Sequence, residues 1–167
     1  MLKLLDKTTI IEIHANIVSD GQGFNPETYN TDKLDGVLGR IEHNIWYSDI
    51  DYDPFELAAI YAEAFARGHA FPDGNKRTAF ITAITVLIIN TPNLEKWHQD
   101  FVKNIGTLQS SSFMTEFMVL VAEGKVSRFE AKQMFMKLFA GTALVIGIGF
   151  GVYKLIEFLV DTFSNKK

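Results

Sequence analysis

The chain has 167 residues, 47 % of them apolar, a formal net charge of −4 and no cysteine. That length and apolar content suit one domain with a sizeable core and room for a short appendage. The acidic balance argues against non-specific nucleic-acid binding, and the absence of thiols excludes disulfides and thiolate metal sites, which fits a reducing compartment without requiring one.

The opening, Met1 to Asp6, is too short and too soon charged for a signal peptide. Hydrophobic spacing predicts a first helix over 7–19 and a second over 32–44, separated by a turn-rich loop at 20–31 that contains Gly21, Gly23 and Pro26. The stretch Trp46 to Tyr52 is aromatic and acidic. Its rings either grip a protein partner or pack beneath their own loop. The third helix, 54–67, is well marked. Asp53 is a good N-cap, Pro54 occupies the first helical position and Glu56 completes a capping box. Phe55, Ala58, Ala59, Ala62, Phe65 and Ala66 then recur at helical spacing. Arg67 suits the last turn, and Gly68 is expected as the left-handed terminator.

Residues 69–77, His-Ala-Phe-Pro-Asp-Gly-Asn-Lys-Arg, carry the chemistry. Pro72, Asp73 and Gly74 form turns, and a helix follows at once. The first amides of that helix lack internal partners, so together with the helix dipole they make an anion site. Gly74 lets the backbone approach a phosphate closely, Asn75 can donate from its amide, and Lys76 and Arg77 add two positive charges. Asp73 would repel a phosphate unless a divalent cation such as Mg²⁺ lay between them. His69, with an unperturbed pKa near neutrality, can take a proton from an attacking hydroxyl. Each feature alone has a plainer reading: a capping histidine, a turn, a solvated helix face. Their joint occurrence points to transfer of a nucleotide-derived group to a hydroxyl.

The segment 76–90 is rich in β-branched residues, from Ile81 and Thr82 to Ile88 and Ile89, which would suit a strand. Its length and lack of alternation favour a buried helix instead, expected to be the hub of the fold. Further helices are predicted over 94–104, 111–123 and 127–138. His14, His43 and His98 lack ligand spacing and read as partly exposed structural histidines rather than a zinc site.

The tail begins with sixteen uncharged residues, Leu138 to Tyr153, and continues apolar to Val160. That is short of the roughly twenty residues needed to span a bilayer, although Lys154 could snorkel. Gly141, Gly147, Gly149 and Gly151 suit a membrane helix better than a soluble one. Gly147-x-x-x-Gly151 could pack helix against helix. The favoured reading is membrane association through 138–160. The rival is a helix packed on the core or on a second copy of the chain.

The nine-residue motif resembles the Fic/Doc (Fido) signature, His-x-Phe-x-(Asp/Glu)-Gly-Asn-(Gly/Lys)-Arg. Every fixed position is filled, by His69, Phe71, Asp73, Gly74, Asn75, Lys76 and Arg77. The continuation Thr78-Ala79, the opening helix with His14 and the segment Val121 to Ser127 look like the Doc (death-on-curing) branch. The likeness covers residues 1–138. It implies an all-α Fic-fold bundle around a central buried helix, with a catalytic domain over 1–138 and a C-terminal hydrophobic helix within 139–167. His69 would be the general base, Asp73 the Mg²⁺ ligand, and Gly74, Asn75, Lys76 and Arg77 the phosphate-binding residues for ATP or another nucleoside triphosphate. Phe71 would fix the loop from inside. Lys76 stands where most Fic enzymes have Gly, and in the Doc branch this accompanies phosphorylation of a target threonine rather than adenylylation. Ala70 departs from the Pro common after the His.

The region 46–52 matches the family's flap, where a target segment docks. Ser112 to Glu116 echoes a restraining helix motif, but Phe117 follows and reads as part of an apolar face. The implied protein is a transferase acting on a Ser or Thr hydroxyl of a protein substrate, in a toxin setting directed at translation and restrained by an antitoxin chain. Adenylylation is the first alternative and a non-catalytic interaction protein the second. The catalytic domain would lie in the cytoplasm, tethered by its tail to the inner membrane.

Overall fold

A computed structural model of the chain describes residues 2–19, 29–47, 52–91 and 112–148. Among them are six helices and no strand: α1 (Lys7–Ser19), α2 (Thr31–Trp46), α3 (Pro54–Gly68), α4 (Asn75–Asn90), α5 (Ser112–Ala122) and α6 (Arg128–Ile148). The fold is all-α. The predicted helix at 94–104, most of the loop at 20–31 and the tail beyond 148 lie outside the described residues.

Helix starts follow local chemistry. Asn30 caps α2, its Oδ1 accepting from Lys33 N at 2.9 Å. Asp53 caps α3, accepting from the amides of Phe55 and Glu56 at 2.9 Å each. The Glu56 carboxylate lies 3.4 Å from Lys132 Nζ on α6. A capping box that sequence reading passed over opens α6: Glu130 accepts from both the amide and hydroxyl of Ser127 at 2.9 Å, and Ser127 Oγ accepts from Glu130 N at 3.3 Å. Helix α6 runs ten residues past the predicted end at 138, so the expected boundary between domain and tail falls inside one continuous helix. Among the described residues no helix is long and apolar enough to cross a membrane.

The centre is a pair of rods rather than one. α3 and α4 pack most heavily on each other; α3 also meets α2, α5 and α6, and α4 meets α1 and α5. The α4 face carries Ala79, Phe80, Ala83, Ile84, Val86 and Leu87 into the core. Two of its threonines satisfy their hydroxyls along the helix, Thr82 Oγ1 donating to Thr78 O at 2.8 Å and Thr85 Oγ1 to Ile81 O at 2.8 Å, while the buried Thr78 hydroxyl has no partner among the described residues. Gly68 is not the left-handed terminator. It is the last residue of α3, and a Cβ there would lie 2.2 Å from Val37 Cγ2 on α2. The missing side chain serves the close approach of two helices, and the left-handed residue is His69.

Candidate active site

The end of α3 and the start of α4 set the loop's two edges. His69 caps α3 at φ 47, ψ 42, the only positive φ outside glycine among the described residues. Histidine tolerates this region better than bulkier residues, though it still carries strain of about 1 kcal/mol. The conformation turns the chain sharply and leaves His69 exposed. Among the described residues no hydrogen bond is made to its ring.

The loop is pinned from inside. Ala70 is buried and its carbonyl accepts from Asn30 N at 3.0 Å. Phe71 is buried and stacks on His14, with ring centroids 3.8 Å apart and planes 9° from parallel. The His14 ring nitrogen Nε2 bonds the Asp73 carbonyl at 3.0 Å, which requires the tautomer protonated there. His14 is only 2 % exposed, not the partly exposed residue expected from sequence. The signal was present: Ile10, His14, Ile17 and Val18 share one helical stripe, and all are buried.

Asn75 clips the loop shut. Its Oδ1 accepts from Phe71 N at 3.0 Å and its Nδ2 donates to Phe71 O at 2.6 Å. One of the two Nδ2 hydrogens is thus used on the loop backbone, which leaves the other and the Asn75 backbone amide at the helix start. Gly74 holds φ +77, and a Cβ there would meet Val18 Cγ1 at 3.2 Å. Its carbonyl accepts the first bond of α4, from Thr78 N at 2.8 Å, and no side chain caps the helix. The amides of Asn75, Lys76 and Arg77 thus sit in the uncapped first turn.

Lys76 and Arg77 line a small open cleft of about 30 Å³ between α4 and α5, with Phe80, Met114, Thr115 and Met118 as the other walls. Arg77 Nη1 donates to Ile17 O at 3.3 Å, and its Nη2 lies 3.4 Å from Asp73 Oδ2. Both side chains of that ion pair stay substantially exposed, so the pair contributes little stability. Lys76 is exposed and in no ion pair among the described residues. Two cations against one carboxylate leave the helix start electropositive. Asp73 stands by itself: no three His, Asp or Glu among the described residues cluster to hold a metal. A lone exposed carboxylate fits Mg²⁺ bound jointly with phosphate oxygens, not a metal caged by protein alone.

Other expectations resolve at the edges. Trp46 and Tyr47 are 60 % and 80 % exposed, and residues 48–51 of their loop lie outside the described residues. His43 is exposed and stacks on Tyr47 at 4.9 Å; His98 lies outside the described residues. Phe117 is buried in the apolar face of α5.

A helical bundle that displays this loop between its two central rods defines a Fic-type protein, and the family model described as Fic/DOC matches residues 4–87. The chain belongs to that family. It is also similar to the protein kinase doc of Escherichia phage P1, 36 % identical over 78 residues, which is 47 % of this chain and 60 % of the phage protein.

Proposed function

We propose that the chain is a Doc-like transferase that moves the γ-phosphoryl group of a nucleoside triphosphate to a Ser or Thr hydroxyl of a protein. One observation carries this reading: the uncapped start of α4 and the Lys76 and Arg77 cations face a cleft at one edge of the loop, while an exposed imidazole stands at the other edge. The amides of Asn75, Lys76 and Arg77 bind phosphate oxygens, and Gly74, at φ +77, makes the left-handed turn that starts the helix there. Arg77 grips two oxygens and Lys76 supplies a mobile charge. The apolar wall of Phe80, Met114 and Met118 excludes water beside them. Asp73 would hold Mg²⁺, which neutralises phosphate charge when bound. His69 Nε2 or Nδ1 accepts the proton of the incoming hydroxyl as its oxygen forms the new bond to phosphorus; the nucleoside diphosphate leaves with the electron pair of the broken bond.

Phosphorylation is favoured over adenylylation by Lys76, which lines the cleft where a smaller residue would leave room for another phosphate pose. The name of the phage relative, a protein kinase, agrees. Incubating the protein and a bacterial extract with ATP labelled separately at the α and γ phosphates tests this. Label retained only from γ supports the reading; label retained only from α means nucleotidyl transfer. An antitoxin chain as restraint and a target in translation belong to the same proposal. So does a cytoplasmic catalytic domain tethered by its tail: the full chain should float with lipid vesicles, and a chain left at the bottom of the gradient supports packing on the core or on a second copy.

A further inference from the structure

Apart from the cleft between α4 and α5, residues of α2, α3 and α6 line a second, open hollow of about 300 Å³. Arg40 and Asn44 come from α2, Glu63 and Arg67 from α3, and Arg128 from α6. Three guanidiniums therefore meet one carboxylate, on a chain whose formal net charge is −4. Glu63 is shared. Its Oε1 lies 2.6 Å from Arg67 Nη1 and its Oε2 2.9 Å from Arg128 Nε. Arg67 Nε donates to Val121 O at 3.0 Å, and Arg128 Nη1 to Asn44 Oδ1 at 3.3 Å. These bonds hold two guanidinium planes in place, while Arg40 enters no ion pair among the described residues. One carboxylate cannot balance three cations, so the lining retains two positive charges. A purely structural ion-pair network gains nothing from that surplus, which adds repulsion between neighbours.

We propose that this hollow docks an acidic segment of a partner protein, with the segment's carboxylates seated on Arg40 and Arg128. The guanidinium fork matches a carboxylate in geometry as well as charge. The openness of the hollow and the rings near it in sequence point to a protein rather than a small molecule. Tyr47, the residue that caps α2 three positions after Asn44, is 80 % exposed, and Phe129, next to Arg128 in sequence, is 67 % exposed. Open aromatics beside arginines are the composition of protein-binding hot spots, whereas a small ligand needs enclosure. The cations form one cluster instead of a row that could follow a phosphate backbone, and the overall negative charge repels a polyanion. None of these residues belongs to the motif loop or lines its cleft, although Arg40 Nη2 comes within 3.4 Å of where a Gly68 Cβ would stand, next to His69.

The test uses the full chain and a fluorescein-labelled octapeptide of alternating Asp and Glu, with binding read by anisotropy at low salt. Wild type should bind it and ignore a Gly-Ser octapeptide. Arg40→Gln with Arg128→Gln should weaken binding about tenfold or more, the scale expected for two lost charge-assisted contacts. Arg40→Gln alone, at an exposed residue with no ion pair to lose, should weaken it about threefold and leave the melting temperature unchanged. No binding of the acidic peptide, equal affinity in the variants, or tighter binding of an oligothymidylate than of the peptide would each overturn the proposal.

Discussion

Replacing His14 tests whether the loop is held from behind. The ring contributes three separable terms. Its stack on Phe71, at 3.8 Å and 9°, is worth about 0.5–1.5 kcal/mol. The bond to the Asp73 carbonyl, at 3.0 Å, is worth about 0.5–1.5 kcal/mol. Deleting the ring also leaves a void in a site only 2 % exposed, which adds about 1–2 kcal/mol. His14→Ala should therefore lose roughly 2–5 kcal/mol, a fall in melting temperature of roughly 5–15 °C for a chain of this size. His14→Phe keeps the stack and fills the space but gives up the bond, so it should lose only about 1 kcal/mol. It should nevertheless slow transfer more than it destabilises, because the freed carbonyl belongs to Asp73, at the loop's exposed edge. Urea unfolding gives the first quantity and γ-label transfer at saturating ATP the second. If His14→Phe matches wild type in both, the bond from α1 does not hold the loop and the argument fails.

Three further outcomes follow from the same geometry. Gly74→Ala forces a Cβ into a left-handed position with Val18 Cγ1 at 3.2 Å, so it should lose about 1–2 kcal/mol by urea unfolding and most of the transfer rate. Asn75→Asp keeps the acceptor for Phe71 N but sets an oxygen against Phe71 O where a donor stood at 2.6 Å; calorimetry should show about 1–3 kcal/mol lost at neutral pH and partial recovery in acid as the new carboxyl protonates and donates. Burial of Asp53 works to raise its pKa, but the side-chain hydrogen bond from Lys132 and the Glu56 and Phe55 amides outweigh it and hold the carboxyl below its ordinary 3.8. A depressed folded pKa means the contribution is complete above 3.8 and disappears as pH falls through the lower folded value. The urea midpoint of wild type should therefore drop on that acid limb, and Lys132→Met should flatten the drop; an unchanged limb in the variant contradicts the assignment.

Much of the fold could be read in advance because its signals are local. Asp53-Pro54 starts α3 through contacts within three residues, and the apolar spacing of α3 and α5 repeats on one face. The motif loop was legible for the same reason: nine consecutive residues carry it. What could not be read depends on contacts between distant segments. Gly68 looks like a terminator in sequence, and only the approach of Val37 shows that it is a packing glycine, which passes the left-handed turn to His69. Asn75 offers an amide to any ligand until Phe71 folds back upon it. His14 lies fifty-nine positions before Asp73, and nothing along the chain announces that pairing. The arginine hollow gathers residues 40, 67 and 128 from three helices, and each reads alone as an ordinary solvated charge. Glu56 was expected to close a capping box, but Lys132 lies within ion-pair reach of its carboxylate.

The central claim is that the exposed imidazole at the end of α3 takes a proton while the start of α4 holds the phosphates. His69→Ala separates these two jobs. Transfer of γ-labelled phosphate to protein should fall about 10²–10⁴-fold, the range for loss of a general base, while ATP affinity measured by equilibrium titration stays within about twofold of wild type. Transfer that continues at the wild-type rate, or ATP affinity lost in parallel with it, would contradict the account.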